Sequence, residues 1–421
     1  MPFNREVHLP SLVQLLASGL AILVFFTVST GLFLAGAAAV GVSRLAGTDA
    51  LPFFSLGWGA AAICLLLLPS LLHSFNRLKG RESRLLQALD RPQTANVLML
   101  LWLPLVALGE VVSRLQNLNW LLLPPIQVLA VGIPLWWLIE LGRQGLGSRR
   151  PQREWGVIGI GVAVTPVVVL LIEIILVGIL AAILFVWVAA QPDLLETFNR
   201  ISQRLVNAQF DPETSLRILR PHLRNPALLY LAALFAAGIV PLVEELLKPL
   251  ALWGVNKRSL TPAEGFVIGL LCGGAFAFVE SLGMLATPVA NAWAVVVIGR
   301  LGTGLLHIVT AGLVGWGLAS AWCGGRYLRL GLIFFIALSA HGMWNFFGML
   351  AGLIPLAVIQ QPLEPFDRLG AISGLALITL GFMLFLLLIG GNNRLRQRVL
   401  VVDPLTITMN EPSPTDGEKL P

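Results

Sequence analysis

The feature that most constrains this chain is a series of long apolar runs, such as TPVVVLLIEIILVGILAAILFVWVAA at 165–190, which contains a single ionisable side chain. A helix needs about 20 consecutive apolar residues to cross the hydrocarbon core of a bilayer. Because backbone polar groups find no water there, such a run has to form a helix. Of the 421 residues, 57% are hydrophobic and 12% are charged, whereas soluble domains are about 25% charged. The chain is therefore predicted to be an all-α polytopic membrane protein.

Ten runs meet this length requirement, and the basic residues between them predict an orientation. Lys and Arg concentrate in alternate connections, whereas the opposite short loops contain only Arg44, Arg114 and Arg368. Positively charged loops stay in the cytoplasm, so an even number of spans places both termini there. The predicted transmembrane helices are 12–41, 53–72, 95–113, 118–141, 156–189, 227–252, 265–286, 292–321, 330–354 and 369–390.

Charge and cysteine content exclude two other kinds of site. The net charge of +6 comes from basic residues scattered over short loops, which gives no reason to expect nucleic acid as a partner. The three cysteines are not closely spaced, so they predict neither a disulfide framework nor a CxxC metal site. We expect five regions: an N-terminal five-span region of unknown role (1–189), an extracytoplasmic amphipathic segment (190–226), a four-span core (227–354), a last span (355–390) and a disordered cytoplasmic tail (391–421).

The segment 190–226 is the one sizeable connection on the outer side. Leu194, Phe198, Ile201 and Leu205 recur at helical spacing, and Asp211 followed by a proline predicts the start of a second helix. Two short helices on the membrane surface are the favoured interpretation, and a lid over a site is the alternative.

Ionisable residues at membrane depth are functional candidates, and here they are distributed unevenly. In the first five spans Glu173 alone lies well inside an apolar run, and a structural hydrogen-bonding role is favoured for it over chemistry. In spans six to nine many polar groups occur together, and each is costly to bury unless it contacts another or a metal. We therefore expect them to converge on one site, helped by small residues at 265, 269, 273 and 277 that allow two helices to approach closely. The polar residues are Glu244, Glu245, Lys248, Glu280, Arg300, His307, His341 and Asn345.

The sequence VEELLKPL at 243–250 has two interpretations. Glu244 and Lys248 are four residues apart in the favoured order for a helical ion pair, so a salt bridge with Lys248 extending to the membrane interface explains them. Pro241 and Pro249, however, each leave a carbonyl without its helical donor, and irregular backbone at membrane depth is tolerated only against protein or water. The second interpretation is a wet cavity lined by the two carboxylates.

His307 and His341 suggest a metal when they are considered together with the carboxylates. Zinc in hydrolases takes three N or O ligands, leaves one position for water and is accompanied by a Glu that acts as a base. The chain contains no HExxH sequence, so such a site has to be assembled from separate helices. Asn345, one turn after His341, is expected to orient that histidine or to hold an oxyanion.

Four short motifs carry a family resemblance: EELLK (244–248), FAFVE (276–280), RLGTGLLH (300–307) and HGMWN (341–345). In this order on four consecutive spans they resemble the PrsW family of intramembrane proteases and, more distantly, the CAAX-processing and bacteriocin-processing membrane proteases. The resemblance covers roughly residues 227–350. It implies an endopeptidase in the bacterial plasma membrane that cleaves other membrane proteins, with an anti-sigma-factor-like single-span protein as the type of substrate.

The resemblance also implies roles for individual residues. Glu244 is expected to deprotonate the attacking water and Glu245 to support it or bind metal, although which of the two is the base stays open. Zinc is the expected cofactor, and a glutamate-based mechanism without metal is the alternative. Ser281 stands where many relatives have Asn, which leaves a side-chain role there in doubt. The expected metal ligands are His307, His341 and Glu280, the expected oxyanion residue is Asn345, and the supporting residues are Lys248 and Arg300.

A membrane protein that is not an enzyme is the competing interpretation. A proton-coupled transporter would use Glu173, Glu280 and the histidines as a proton relay, and a catalytically silent scaffold would use none of them. Transporters often have internal repeats that place binding residues in both halves. Here the polar residues crowd into one half of the chain, so the protease interpretation is favoured.

Overall fold

The computed structural model describes residues 8–46, 49–81, 92–115, 117–147, 150–209, 211, 214–215, 217–219, 226–254, 260–287, 292–357 and 366–409. Within this part of the chain, ten helical segments are long and apolar enough to cross a membrane. They coincide with the ten predicted spans to within a few residues at most ends, so the prediction of an all-α multi-pass membrane protein is confirmed. The orientation of the two termini stays a prediction.

The helices are numbered along the described chain, and a short π-helical segment, Phe235–Ile239, joins two of them. Their bounds are α1 (Leu9–Ala46), α2 (Leu51–Leu78), α3 (Pro92–Leu100), α4 (Trp102–Ser113), α5 (Asn119–Arg143), α6 (Pro151–Ala163), α7 (Thr165–Ala189), α8 (Pro192–Asn207), α9 (Pro226–Leu234), α10 (Val240–Leu247), α11 (Leu250–Trp253), α12 (Pro262–Met284), α13 (Trp293–Gly324), α14 (Tyr327–Ala357) and α15 (Phe366–Met409).

Two of the predicted spans are interrupted helices. The fifth breaks at Val164 into α6 and α7, because Pro166 has no N–H to continue the hydrogen-bond pattern across that point. The sixth consists of α9, the π-helical segment, α10 and the single turn α11, with Pro241 at the start of α10 and Pro249 between α10 and α11. π-helical turns inside α-helices are often found at functional sites.

The amphipathic segment after α7 forms the expected surface helix. None of the residues of α8 is buried, and the ring of Phe198 lies 6.2 Å from that of Phe185 on α7. At the predicted start of the second helix, the backbone N–H of Thr214 donates to Oδ2 of Asp211 over 2.9 Å. Most of the remainder of that helix lies outside the described residues.

The C-terminal part of the chain differs from the prediction. The last helix, α15, continues to Met409, so residues 391–409 do not belong to a disordered tail. Residues 410–421 lie outside the described part. Past residue 390 the sequence is still free of proline until Pro404, so the helical hydrogen bonding has no reason to stop where the apolar run ends.

The centre of the molecule is a close contact between α12 and α13. A Cβ added to Gly269 would overlap the carbonyl oxygen of Ala311, and one added to Gly273 would overlap that of His307. Gly315 of α13 makes the reciprocal approach to Gly265. The predicted ridge of small residues therefore brings the two backbones together, as it does in other membrane helix pairs.

Helix α14 is fixed on both sides. The indole N–H of Trp344 donates to Oγ1 of Thr303 on α13 over 3.1 Å. On the other side, Gly342 lies against the carbonyl oxygen of Ala237 in the π-helical segment, where a Cβ would overlap it. Because Pro241 cannot donate to the Ala237 carbonyl, this close approach covers a backbone group that would otherwise be exposed. These contacts hold α10, α12, α13 and α14 around one interior volume.

Candidate functional site

The charged residues of α10 are buried in that interior volume. Lys248 is fully buried, so it does not extend to the membrane interface, and the simple span-end interpretation is wrong. Its Nζ lies 3.3 Å from Oε2 of Glu244 and 2.8 Å from Oε1 of Glu245. Glu245 therefore has the shorter contact with the lysine, at a spacing of three residues. A buried ammonium between two carboxylates satisfies the requirement that charges in a low-dielectric interior be paired.

Glu244 meets both histidines. Its Oε2 lies 3.8 Å from Nδ1 of His307 and 3.7 Å from Nε2 of His341. The ligand-type atoms of these three side chains are all within 4.8 Å of one another, which no other His, Cys, Asp or Glu triple achieves in the described parts of the chain. The two imidazole rings are nearly perpendicular, with centroids 5.1 Å apart. We call Glu244, His307 and His341 the three-residue cluster.

Each histidine of the cluster has a second carboxylate at its other ring nitrogen. Nδ1 of His341 is 2.8 Å from Oε1 of Glu245, and Nε2 of His307 is 2.6 Å from Oε2 of Glu280. A carboxylate at the outer nitrogen of a metal-binding histidine fixes the tautomer and the ring orientation. Glu280 therefore occupies an orienting position, and it is Glu244, rather than the expected Glu280, that lies with the two histidines.

Arg300 pairs with the carboxylate at the outer nitrogen of His307. Its guanidinium is 3.0 Å from Oε1 of Glu280, and its Nε donates to Oγ of Ser281 over 3.0 Å. The Ser281 hydroxyl thus accepts a hydrogen bond from Arg300. Many relatives have Asn at this position. The side chain of Glu280 is 30% exposed, whereas that of Glu244 is 9% exposed.

Two residues of the site carried no clear signal in the sequence. Thr310 donates its hydroxyl to Oε1 of Glu245 over 3.0 Å and lies one turn after His307 on the same face of α13. Phe276, expected to be an ordinary packing aromatic, has its ring centroid 5.3 Å from that of His307 and 5.3 Å from Nζ of Lys248. The second geometry is that of a cation–π contact. A threonine or phenylalanine in an apolar run is common, so neither stood out.

Asn345 has a different neighbourhood from the one expected. Its amide Nδ2 donates to the carbonyl oxygen of Ala236 over 2.9 Å. That contact ties α14 to the π-helical segment rather than pointing into the three-residue cluster. The Asn345 side chain thereby provides a hydrogen bond to a backbone carbonyl of the interrupted span, which is a structural role.

Glu173 belongs to the surroundings of the site, which its isolated position in the sequence did not indicate. Helix α7 packs against α10 and α12, and Glu173 interacts electrostatically with Glu280 and Lys248. Its Oε1 is buried, with no hydrogen-bond partner among the described residues. The structure therefore gives no support to the structural hydrogen bond that the sequence favoured.

The three-residue cluster fits a divalent metal by its donor types and spacing. Oε2 of Glu244 and Nδ1 of His307 are buried and have no hydrogen-bond partner in the described chain. Two imidazoles and a carboxylate are a ligand set of catalytic zinc sites. Tetrahedral ligands about 2.1 Å from zinc are about 3.4 Å apart, so the 3.7 and 3.8 Å separations require only a small contraction. The buried Glu/His/His group could therefore hold a metal ion.

A comparison with known protein families gives a match to the part of the chain that contains this site. The model of the family described as PrsW family intramembrane metalloprotease matches residues 158–364. The match contains all four motifs and begins earlier than the resemblance over 227–350, so it also includes most of the fifth span. No curated protein and no solved structure matches the chain in the same comparisons.

Proposed function

The model of the PrsW family of intramembrane metalloproteases matches residues 158–364, and from this premise we propose that the chain is a protease of this family and that the three-residue cluster is a zinc-dependent peptidase site for membrane-protein substrates. The observation that carries the proposal is the meeting of Glu244, His307 and His341 inside three helices of the matched region. The rival transporter interpretation has no comparable observation in its favour.

The proposed ligands are Oε2 of Glu244, Nδ1 of His307 and Nε2 of His341, which leaves one position for water. A zinc ion held there would supply Lewis acidity, which activates water and polarises the scissile carbonyl. Glu245 orients His341 through the 2.8 Å contact at its other nitrogen. Lys248 and Thr310 in turn hold Glu245 through its Oε1, so the ring of His341 has a fixed direction.

The role that we propose for Glu280 is to orient His307. Its Oε2 lies 2.6 Å from Nε2 of His307, on the side of the imidazole ring away from the proposed metal-binding Nδ1. Arg300 holds its other oxygen at 3.0 Å. A carboxylate in this position fixes the tautomer and direction of a metal-binding histidine.

The substrate class is membrane protein, and we propose that an anti-sigma-factor-like single-span protein of a bacterial plasma membrane is one example. The supporting argument is the location of the site within helices that span the membrane, because only a polypeptide in or next to the bilayer can come within reach of it.

Cleavage by purified protein tests the proposal. The full chain is reconstituted in liposomes with synthetic single-span peptides that have an apolar segment of about 20 residues and a central Gly-Pro. We expect cleavage within or beside the apolar segment, and we expect none by Glu244→Gln or His341→Ala. Cleavage that survives in both variants would contradict the assigned site.

Metal content separates ligands from orienting residues. Glu244→Gln and His307→Ala are expected to lose bound zinc together with cleavage, because both remove a ligand. Glu280→Gln is expected to keep the zinc site with an affinity lowered about 10–100-fold, because it weakens the contact that orients His307 but removes no ligand. Equal, near-zero zinc in the wild type and in His307→Ala would exclude the metal assignment.

A further inference from the structure

Three of the four sides of the site are closed by fixed contacts. Between α12 and α13 the backbones touch along the glycine ridge, and Gly273 lies directly against the carbonyl of His307. Between α13 and α14 the Trp344 ring fills the space above Gly302. Between α14 and the interrupted sixth span, Gly342 and Asn345 hold the backbone of residues 236 and 237. A substrate helix could pass these seams only by separating close contacts of glycine with backbone or with the Trp344 ring.

On the fourth side, between α10 and α12, the described helix that packs against both is α7. On this helix only Thr165 and Val169 are buried, so beyond the second turn every described residue is at least partly exposed. Its connection to the well-packed α6 is the break at Val164, next to Pro166. Helix α6 is tied to α12 through the 2.9 Å ion pair of Arg153 with Glu264, which leaves the break as the point at which α7 can move. Breaks of this type at proline are where helices bend.

Helix α7 also contributes a carboxylate near the site. Glu280 is the most exposed of the carboxylates around the cluster, and Glu173 of α7 interacts electrostatically with it. Glu173 is thus the group of α7 that a substrate moving towards the cluster would meet. Its buried Oε1 has no hydrogen-bond partner in the described chain.

A peptide bond cannot be cleaved inside an intact helix without local unwinding, and an unwound segment exposes N–H groups that find no water at membrane depth. A carboxyl oxygen without a partner is a suitable acceptor for such an N–H. Because an unsatisfied backbone group is costly in hydrocarbon, this acceptor would favour the unwound form of a substrate over its helical form.

We propose that α7 is the movable wall through which a transmembrane segment of the substrate reaches the cluster, and that Glu173 accepts a hydrogen bond from the unwound backbone of that segment. The inference rests on the proposed function, since it concerns the substrate of the same site. It assigns a role to the fifth span, whose role the sequence left unknown.

Photo-crosslinking tests the route of access. A benzophenone amino acid replaces Val177, one turn beyond Glu173 on the same face of α7, in full-length protein with Glu244→Gln to prevent cleavage. The probe is the Gly-Pro single-span peptide in liposomes. The matched control is Ile175 on the opposite face of α7, and Phe335 on α14 and Leu375 on α15 report on the other sides. All four side chains are exposed on the surface of the protein, with exposed fractions of 49%, 59%, 67% and 69%.

We expect the peptide to crosslink from position 177 at least about tenfold more than from 175, 335 or 375. Equal crosslinking from all four positions, or crosslinking concentrated at 335 or 375, would overturn the access route. If wild type cleaves the peptide and 177 does not crosslink, the route fails while the protease reaction stands. If 177 crosslinks a peptide that wild type never cleaves, the route is supported and the proposed function fails.

A comparison of two substitutions tests the hydrogen bond. Glu173→Gln retains a carbonyl oxygen and is expected to change KM less than twofold, whereas Glu173→Leu is expected to raise KM about tenfold with kcat nearly unchanged. A structural role would lower the thermal stability of the leucine variant without this separation of KM from kcat. Equal kinetics of the two variants would remove Glu173 from the proposal.

Discussion

Lys248 shows that the sequence VEELLKPL at 243–250 lies inside the protein and is not a charged end of a span. It is a completely buried ammonium that touches Glu244 and Glu245, lies 3.3 Å from Nδ1 of His341 and has the ring of Phe276 at 5.3 Å. Its positive charge offsets the two neighbouring carboxylates, which would otherwise repel each other. The lysine therefore holds together the half of the site that α10 provides.

Lys248→Met leaves Glu245 buried without a counter-charge, and breaking a buried pair in this way costs about 3–5 kcal/mol. We expect a correspondingly lower unfolding midpoint in detergent, together with loss of cleavage. The double variant Lys248→Met, Glu245→Gln is expected to regain part of the stability, because one of the two buried carboxylates that lose their counter-charge is then neutral.

An exposed ion pair provides the control for that experiment. Arg200 and Glu196 on α8 are 2.9 Å apart, with 58% and 76% of their side chains exposed. Arg200→Met is expected to change stability by less than about 1 kcal/mol. A Lys248→Met variant as stable as Arg200→Met would contradict the buried-pair account.

Glu245 is expected to act on the metal through His341. Glu245→Gln keeps the side-chain shape but weakens the contact that orients the imidazole, and such changes lower metal affinity about 10–100-fold. Competition with a chelator of known zinc affinity measures this change. An affinity equal to that of wild type would mean that the Glu245–His341 contact does not serve metal binding.

The sequence identified most of the residues of the site but not which carboxylate lies between the two histidines. Ionisable groups at membrane depth stand out in any hydropathy pattern, so Glu244, Glu245, Glu280 and the histidines were found. Which carboxylate lies with the histidines depends on how α10 is rotated about its axis. Neighbouring residues point about 100° apart, and no local pattern fixes that rotation.

At the scale of elements, the α12–α13 contact depends on glycines, which have no side chain at the points where the two backbones meet. In Gly273→Ala the new Cβ would overlap the carbonyl oxygen of His307, so the helices have to separate and His307 moves. We expect lower stability and at least about tenfold slower cleavage, since small displacements of a catalytic group have large effects on rate.

Gly283→Ala is the matched control on the same helix. A Cβ at Gly283 meets no atom within 4 Å, and in a helix alanine is favoured over glycine by up to about 1 kcal/mol. We expect unchanged cleavage and equal or higher stability, measured in the same assays. Similar losses in both variants would mean that the close approach at Gly273 has no special importance.

Local sequence patterns predicted some features of the helices and missed others. Small residues four apart predicted the α12–α13 contact, and proline predicted an irregular sixth span. The π-helical segment and the break at Val164 were not predicted, because they depend on which neighbouring groups take over the freed carbonyls. In the sixth span, Asn345 of α14 donates to the Ala236 carbonyl and Gly342 leaves room for the Ala237 carbonyl, and both residues are more than 100 positions away in sequence.

At the scale of the molecule, the ten spans found among the described residues followed from hydropathy, because a bilayer leaves the backbone no alternative to helix. The orientation is a separate prediction from the distribution of Lys and Arg. A reporter enzyme that is active only outside the cytoplasm, fused after residue 421, is expected to be inactive, and one inserted at residue 209 is expected to be active. The opposite result would invert the predicted topology.

The dependence of cleavage on zinc tests the central claim most directly. Purified full-length protein is stripped of metal with a chelator, returned to liposomes with the single-span peptide, and titrated with zinc while the rate of cleavage is followed. The account predicts no cleavage by the stripped protein and a rate that rises in proportion to added zinc until one ion per chain is bound. Cleavage at the full rate by protein with no measurable metal would contradict it.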